Sequence, residues 1–176
     1  SDKVVITPGN FHKDGGFYFE DRNTTFYKGK IPDGFILKNG DLLVVMTDLT
    51  RDGIILGNSI ILDSEYVVLH NQRIAKIMVE EEKLDKYFLN YFFNSFLSKQ
   101  QIKRTAAGTG VIHTSSEKIL ELLILIPPLP EQQKIASILS NLDSLIQQEK
   151  QYKEKLQKIK RGLMQQLLTG KTRVKV

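Results

Sequence analysis

The segment Ile126-Pro127-Pro128-Leu129-Pro130-Glu131-Gln132-Gln133-Lys134-Ile135-Ala136 marks the point where this chain changes its architecture. Pro130 suits the first position of a helix, because its missing N–H would be unpaired there and its φ is already helical. Glu131 then lies in the first turn, where a negative charge is favourable. Gly170, with cationic residues after it, is typical of a helix end. These signals predict one helix from Pro130 to Thr169, which would span roughly 60 Å.

Apolar residues recur along this helix with a period close to 3.5, which is typical of coiled coils. The predicted helix-pairing seam consists of Ile135, Ile138, Leu142, Leu145, Tyr152, Leu156, Ile159 and Leu163. Glu149 interrupts one line of the seam and Gln166 the other, and Glu149 is the candidate for setting the register. The seam predicts pairing with another helix. The alternative is an amphipathic helix that lies on its own domain.

Length and composition exclude several classes of protein. The chain has 176 residues, enough for one hydrophobic core and one appended element. It contains no cysteine, so disulfides, thiolate nucleophiles and cysteine metal sites are excluded. No apolar run approaches the length of a membrane span, and the first residues lack the layout of a signal peptide. We therefore expect a cytoplasmic protein.

The positive charge is concentrated in the last third of the chain. Residues 131–176 carry 10 Lys and Arg against 4 Asp and Glu, whereas residues 1–130 carry 15 against 16. The formal net charge of +5 therefore arises in the helix and tail. This excess could face a polyanion, or it could be a solvated helix face. A near-neutral globular part still permits base readout by a few well-placed side chains.

The residues before the helix predict an α+β domain, so we expect a domain at 1–128 and a helical unit at 129–176. Short apolar runs bounded by turn signals predict strands at 4–7, 42–46, within 53–62, at 66–69, 74–79 and 122–126. Aromatic residues at helical spacing predict one helix over 84–104 that covers a face of the sheet. The tetrapeptide Thr114-Ser115-Ser116-Glu117 is typical of a capping box that begins a short helix.

No motif for ATP or methyl-group chemistry is found. A Walker-type loop is absent, so ATP-driven work is not encoded. The tetrapeptide Ile126-Pro127-Pro128-Leu129 lacks the polar and aromatic ends of the adenine-methyltransferase motif. The segment Gly108-Thr109-Gly110 weakly resembles a methyl-donor loop, but a predicted helix precedes it where such a loop needs a strand. We expect no catalytic residues.

Metal sites and nuclease chemistry are also disfavoured. Asp33 with Glu81-Glu82-Lys83 superficially matches a metal-dependent nuclease, whose carboxylates must converge from adjacent core strands. Asp33 instead precedes a glycine in a turn, and residues 80–83 are typical of a solvated approach to a helix. The three histidines lack metal-ligand spacing: His12, His70 and His113. We therefore expect no metal.

The proline-rich segment, from Pro127 to Ala136, resembles the conserved region of the DNA-specificity (S) subunits of type I restriction–modification enzymes. Weaker similarities lie at Ile6–Phe11, Gly40–Leu43, Leu69–Ile74 and Ala107–Gly110. The resemblance implies a non-catalytic target-recognition domain followed by a conserved helix. Two such helices pack antiparallel in the family and set the distance between two DNA half-sites. With one domain and one helix, this chain resembles half a subunit or a fragment.

The resemblance also implies partners. These are double-stranded DNA, methyltransferase (M) subunits that use S-adenosylmethionine, a restriction (R) subunit that uses ATP, and a second copy or second half subunit on the long helix. Neither cofactor is expected to bind this chain. The competing class is a non-DNA adaptor whose helix dimerises, and DNA binding with a steep salt dependence would separate the two.

DNA-contact residues vary within this family, so candidates come from the polar residues of the loops. They are Asn10, His12, Lys13, Arg51, Lys103, Arg104, Thr109 and His113. If the domain reads bases, the loops 7–13, 48–53 and 103–113 should lie together at one edge of the sheet. The alternative for Lys103 and Arg104 is that they only complement the C-terminal dipole of their helix.

Overall fold

The structure is a computed structural model that describes residues 3–50, 52–108 and 110–175. The chain divides into two compact units, Ser1–Gln133 and Lys134–Val176. The first unit combines short strands and helices, and the second is helical. The predicted α+β class with a long C-terminal helix is confirmed.

The first sheet joins distant parts of the chain. β1 (Lys3–Val5) lies between β2 (Thr25–Phe26), which is antiparallel to it, and β6 (Val67–Leu69), which is parallel. The chain leaves β1 through a 3-10 turn at Pro8–Asn10. β1 is shorter than the strand predicted at 4–7. Its central residue, Val4, is fully buried, and this burial stabilises the strand.

The second sheet separates two hydrophobic cores. β3 (Leu42–Val45) is its central strand and pairs antiparallel with β5 (Ser59–Ile61) and β7 (Ile74–Ile77). All four residues of β3 are buried. Because side chains alternate along a strand, Leu43 enters the core shared with the first sheet, and Leu42 enters the core covered by helices.

The segment that predicted one helix over 84–104 forms two helices, so that prediction is wrong. They are α1 (Lys86–Asn94) and α2 (Phe96–Thr105). Ser95 between them has extended backbone angles, φ −73° and ψ 155°, and its side chain accepts a hydrogen bond from the Ser98 amide at 3.3 Å. A serine oxygen that caps the next helix competes with continuing the first one.

The aromatic stripe of this segment is only partly core. Leu89 and Phe93 of α1 pack into the second core, which confirms that this helix covers the sheet. Tyr87 and Phe96 are exposed. The predicted stripe therefore coincides with the buried face of α1 only in part: Phe92 packs partly against the core, but the buried positions are Leu89 and Phe93. The break at Ser95 starts a new helix beyond it.

The helix predicted from the capping box is present, but its N-cap lies one residue later than predicted. α3 (Ser116–Leu120) is capped by Ser115, whose side chain accepts from the Lys118 amide at 3.4 Å. Thr114 is instead buried, and its hydroxyl has no hydrogen-bond partner among the described residues.

The predicted strand at 122–126 is wrong, because this extended segment joins no ladder among the described residues. Leu122 and Ile124 pack against the second core, while Leu123 and Leu125 are exposed. The side chain of Gln101 pairs with the backbone of Leu123, donating at 2.9 Å and accepting at 2.8 Å. A side-chain amide therefore supplies the hydrogen bonds that a neighbouring strand would have made.

α4 (Leu129–Leu168) is one helix of 40 residues. It begins one residue before Pro130, and Gly170 follows it with φ 73°. Its first turn belongs to the first unit, where Gln132 is fully buried. The Gln132 side chain accepts from the Asp85 amide at 2.9 Å and donates to the carbonyls of Lys83 at 2.9 Å and Pro127 at 2.8 Å.

The seam residues of the second unit expose about half of their surface, from 48% to 58%. They are Ile138, Leu142, Leu145, Tyr152, Leu156, Ile159 and Leu163. Ile135 is partly buried. Among the described residues, no helix is long and apolar enough to cross a membrane.

Candidate nucleic-acid interface

Three segments of the first unit lie next to each other, and they overlap the loops 7–13, 48–53 and 103–113 that carry the candidate DNA contacts. We define the loop cluster as the described residues of 12–16, 49–55 and 107–113. The Asn58 side chain donates to the carbonyl of His12 at 2.8 Å, and Lys103 Nζ donates to the carbonyl of Asp52 at 3.0 Å. The backbone of each of these two loops is therefore anchored by a side chain from outside the cluster.

A small antiparallel ladder joins the second and third of these segments. β4 (Thr47–Asp48) pairs with β8 (Ile112–His113), with Thr47 opposite His113 and Asp48 opposite Ile112. Loop 49–55 continues directly from β4, and hairpin 107–113 ends in β8. Both segments are therefore attached to the same two-stranded ladder.

Asp48 sets the shape of loop 49–55. Its carboxylate is fully buried, and Oδ1 accepts from the amide of Thr50 at 2.7 Å and from the Thr50 hydroxyl at 2.8 Å. Oδ2 accepts from the amide of Ile55 at 2.7 Å. Three donors stabilise a buried anion, since hydrogen bonds to a charged acceptor are stronger than neutral ones. The Asp48 side chain thereby holds both ends of loop 49–55 in place.

Hairpin 107–113 is closed by two backbone hydrogen bonds between Ala107 and His113, at 3.0 and 2.9 Å. Gly108 has φ 118°, and a Cβ atom there would lie 2.0 Å from the carbonyl oxygen of Val111. No L-side chain fits, so glycine is required at this turn. Gly110 faces open space. Of the two glycines that weakly resembled a methyl-donor loop, Gly108 is therefore needed for the conformation of the turn.

Asn10 is wrongly predicted as a DNA contact. It is fully buried. Its side-chain oxygen accepts from the Thr7 amide at 2.7 Å and hydroxyl at 2.9 Å, and its nitrogen donates to the carbonyls of Asn23 at 3.1 Å and Tyr18 at 3.3 Å. Because its hydrogen-bonding groups already have partners in the fold, Asn10 shapes the loop before residue 12 and does not read bases.

The other described candidates are exposed: His12, Lys13, Lys103, Arg104 and His113. The His12 ring stacks on Tyr18, with ring centroids 4.1 Å apart and planes 18° from parallel. Arg51 and Thr109 lie outside the described residues. The DNA-contact role of each candidate that remains is still a prediction.

Sequence reasoning missed Lys99, which lies on α2 one turn before Lys103. Burial lowers the pKa of Lys99, the positive charge of Lys103 lowers it further, and the Asp14 carboxylate acts in the opposite direction. Lys99 therefore lies near a residue of loop 12–16 as well as near Lys103. The spacing of the two lysines, four residues apart on a helix, was the available signal.

The described residues contain no group of three or more His, Asp or Glu side chains that could hold a metal ion. Lys83 of the nuclease-like pattern pairs with Glu80 instead, and this hydrogen bond lowers the pKa of Glu80.

Comparison with known proteins assigns the family. The sequence model for the type I restriction modification DNA specificity domain matches residues 2–158. The chain belongs to this family. It is 33% identical over 150 residues to the type I restriction enzyme MjaVIII specificity subunit of Methanocaldococcus jannaschii, a match that covers 85% of this chain and 35% of the relative. It is 32% identical over 152 residues to the EcoBI specificity subunit of Escherichia coli, covering 84% of this chain and 30% of that subunit.

Two solved structures have the same fold as this chain. The HsdS subunit from Thermoanaerobacter tengcongensis superposes with a TM-score of 0.64 at 18% identity, covering 92% of this chain and 41% of that one. A chain from a structure of a type I R-M system, described for complex assembly and conformational transition, superposes with a TM-score of 0.66, also at 18% identity. It covers 97% of this chain and 43% of that one. The chain thus spans about a third of the length of its curated relatives.

Proposed function

We propose that this chain reads one half of a bipartite DNA target as a non-catalytic specificity component of a type I restriction–modification complex. The family match over residues 2–158 carries the proposal, because the matched relatives are specificity subunits. The loop cluster and the end of α2 support it, since exposed polar side chains of the loops and the cations Lys13, Lys103 and Arg104 lie there on backbone that the fold holds in place. Rigid presentation favours direct readout of base edges.

Different residues of the site have different tasks. Arg104 contacts a phosphate, being exposed and cationic at the end of α2. His113 lies on the β4–β8 ladder beside loop 49–55 and contacts a base edge. His12 and Lys13 approach the DNA from the neighbouring loop.

The long helix has the assembly role in this proposal. Its seam pairs with the same helix of a second copy or of a second half subunit, which sets the distance between two half-sites. The M subunits supply S-adenosylmethionine chemistry and the R subunit supplies ATP-driven chemistry, so this chain binds neither cofactor.

The test uses the chain assembled with its methyltransferase partner and a pool of randomised duplex DNA. Recovery of a defined half-site, bound with a steep dependence on salt, supports the proposal. Recovery of no preferred sequence would instead favour an adaptor whose helix dimerises.

Arg104→Ala then tests the phosphate contact in the same assembled complex. Affinity should fall by a similar factor for all sequences, and the salt slope should fall by about one. Arg22→Ala is the matched control, because Arg22 is also an exposed arginine but pairs with Glu20 at 2.9 Å and lies outside both α2 and the loop cluster. Unchanged affinity and slope in Arg104→Ala would mean that this arginine only complements the helix dipole.

A further inference from the structure

Two exposed apolar side chains lie at the end of the β4–β8 ladder. The pairing of Asp48 with Ile112 makes Leu49 and Val111 the next positions in register. Leu49 is 59% exposed and Val111 is 44% exposed, whereas Asp48 is fully buried. The ladder itself ends at Asp48 and Ile112, so Leu49 and Val111 are the first residues beyond it on the two chains.

This apolar pair is held in place from both sides. Leu49 lies between Asp48 and Thr50, which are joined by the hydrogen bonds of the Asp48 carboxylate. Val111 lies in the hairpin whose turn requires Gly108, because the Val111 carbonyl occupies the place of a Cβ atom there. The pair is therefore presented by fixed backbone and exposed to solvent, an arrangement that core packing does not explain.

Two lysines of α2 lie near the other side of the ladder. A Cβ atom at Gly53 would be 3.8 Å from Lys103 Cε and 3.5 Å from Ile112 Cδ1, and Lys99 lies near Lys103. Asp14 and Asp52 moderate this charge, and Asp52 presents its carbonyl to Lys103. Two apolar side chains are too few for a stable protein interface, which buries some 20–30 residues a side. They are enough for one or two methyl groups in a DNA groove.

We propose that Leu49 and Val111 contact the 5-methyl group of thymine in the major groove and so help to specify A·T pairs in the half-site. In the major groove the thymine methyl is the apolar mark that distinguishes this base, and proteins read it by apolar contact. This inference rests on the proposed DNA-reading function and adds to it the chemical feature that is read. His113, in the adjoining ladder, contacts a neighbouring polar base edge.

The test replaces thymine by 2′-deoxyuridine, one position at a time, in the half-site selected by the assembled complex. Uracil keeps every hydrogen-bonding group and removes only the methyl. At one or two positions we expect an affinity loss of about fourfold for each methyl lost. In a Leu49→Ala/Val111→Ala double variant, thymine and uracil should bind equally well at those positions. Val111→Thr keeps the side-chain shape and should reduce the discrimination in part.

Leu125→Ala is the matched control, since Leu125 is also an exposed apolar residue of the first unit but lies outside the loop cluster. It should keep both the affinity and the preference for thymine. Equal binding of thymine and uracil by the parent complex, a half-site without A·T pairs, or a thymine preference that survives in the double variant each overturns the inference. If the parent selects no sequence, the proposed function fails and this inference fails with it. If the parent selects a sequence but ignores the methyl, only this inference fails.

Discussion

Buried polar side chains hold the loops and the helix start of the first unit in place. Asn10, Asp48, Asn58 and Gln132 are all fully buried, and each bonds backbone groups of another segment or loop. An unpaired backbone group in the interior is costly, so each of these side chains stabilises one arrangement of the segments that it joins.

Gln132→Leu should lower the free energy of unfolding by about 1–3 kcal/mol, because a leucine of similar size leaves the Asp85 amide and the carbonyls of Lys83 and Pro127 without their partner. Urea denaturation measures the change in the free energy of unfolding, provided that the denaturant slope m is the same for the parent and the variant. The neighbouring Gln133→Leu is the control, since Gln133 is exposed and should change stability by about 0.5 kcal/mol or less. Equal effects of the two variants would contradict the role of Gln132.

Lys99→Met should raise stability at pH 7 by about 0.2–0.5 kcal/mol, because it removes a like-charge pair with Lys103 four residues away on α2. Burial and Lys103 lower the pKa of Lys99 in the folded state, so the folded protein binds fewer protons than the unfolded chain above that pKa. Stability of the parent therefore rises as pH rises through the lowered pKa, and the advantage of the variant shrinks there.

Thermal unfolding of the parent and of Lys99→Met between pH 7 and pH 10.5 measures how their difference in stability depends on pH. Lys134→Met, on an exposed residue of α4, should show no such pH-dependent difference. A gain for Lys99→Met that is constant with pH would contradict the electrostatic explanation.

The short elements of the first unit depend on particular turn residues. α1 and α2 are separate because Ser95 caps the second, and hairpin 107–113 closes because Gly108 leaves space for the Val111 carbonyl. Strands of two to four residues have little stability of their own, so such turns decide which segments pair.

Gly108→Ala should disrupt hairpin 107–113 at a cost of about 1–3 kcal/mol, since alanine at φ 118° is strained and its Cβ would overlap the Val111 carbonyl. Hydrogen exchange should show lost protection of the Ala107 and His113 amides, which bond each other's carbonyls. Gly110→Ala is the control, because that position has open space and should keep the protection. Intact protection in Gly108→Ala would mean that the turn can shift without opening.

At the level of assembly, the exposed apolar seam of α4 predicts self-association. Replacing Leu142 and Leu156 by Asp should convert a dimer into a folded monomer, because both side chains are about half exposed and charges would be desolvated in a paired helix. Sedimentation at tens of micromolar measures the change. Ser140→Asp/Gln147→Asp adds the same charge on the opposite helical face and should leave the dimer intact. A parent that is strictly monomeric would contradict the pairing.

The sequence alone was sufficient for features that arise from neighbouring residues. Proline, glycine and the 3.5-residue apolar period predicted α4 to within one residue at each end, and the same proline-rich segment carried the family resemblance. Turn signals located most strands of the two larger sheets. Such features can be predicted because helix and turn formation depend on residues a few positions apart.

Only the tertiary structure decided which polar residues are buried and which apolar ones are exposed. Asn10 was predicted to read DNA but contacts Asn23, Asn58 contacts His12, and Gln132 contacts Asp85, 47 positions away. Leu49 and Val111 come to lie at the same end of one ladder only through the register of β4 with β8. The physical reason is that burial and strand register depend on contacts between segments far apart in the chain, for which the local sequence carries no signal.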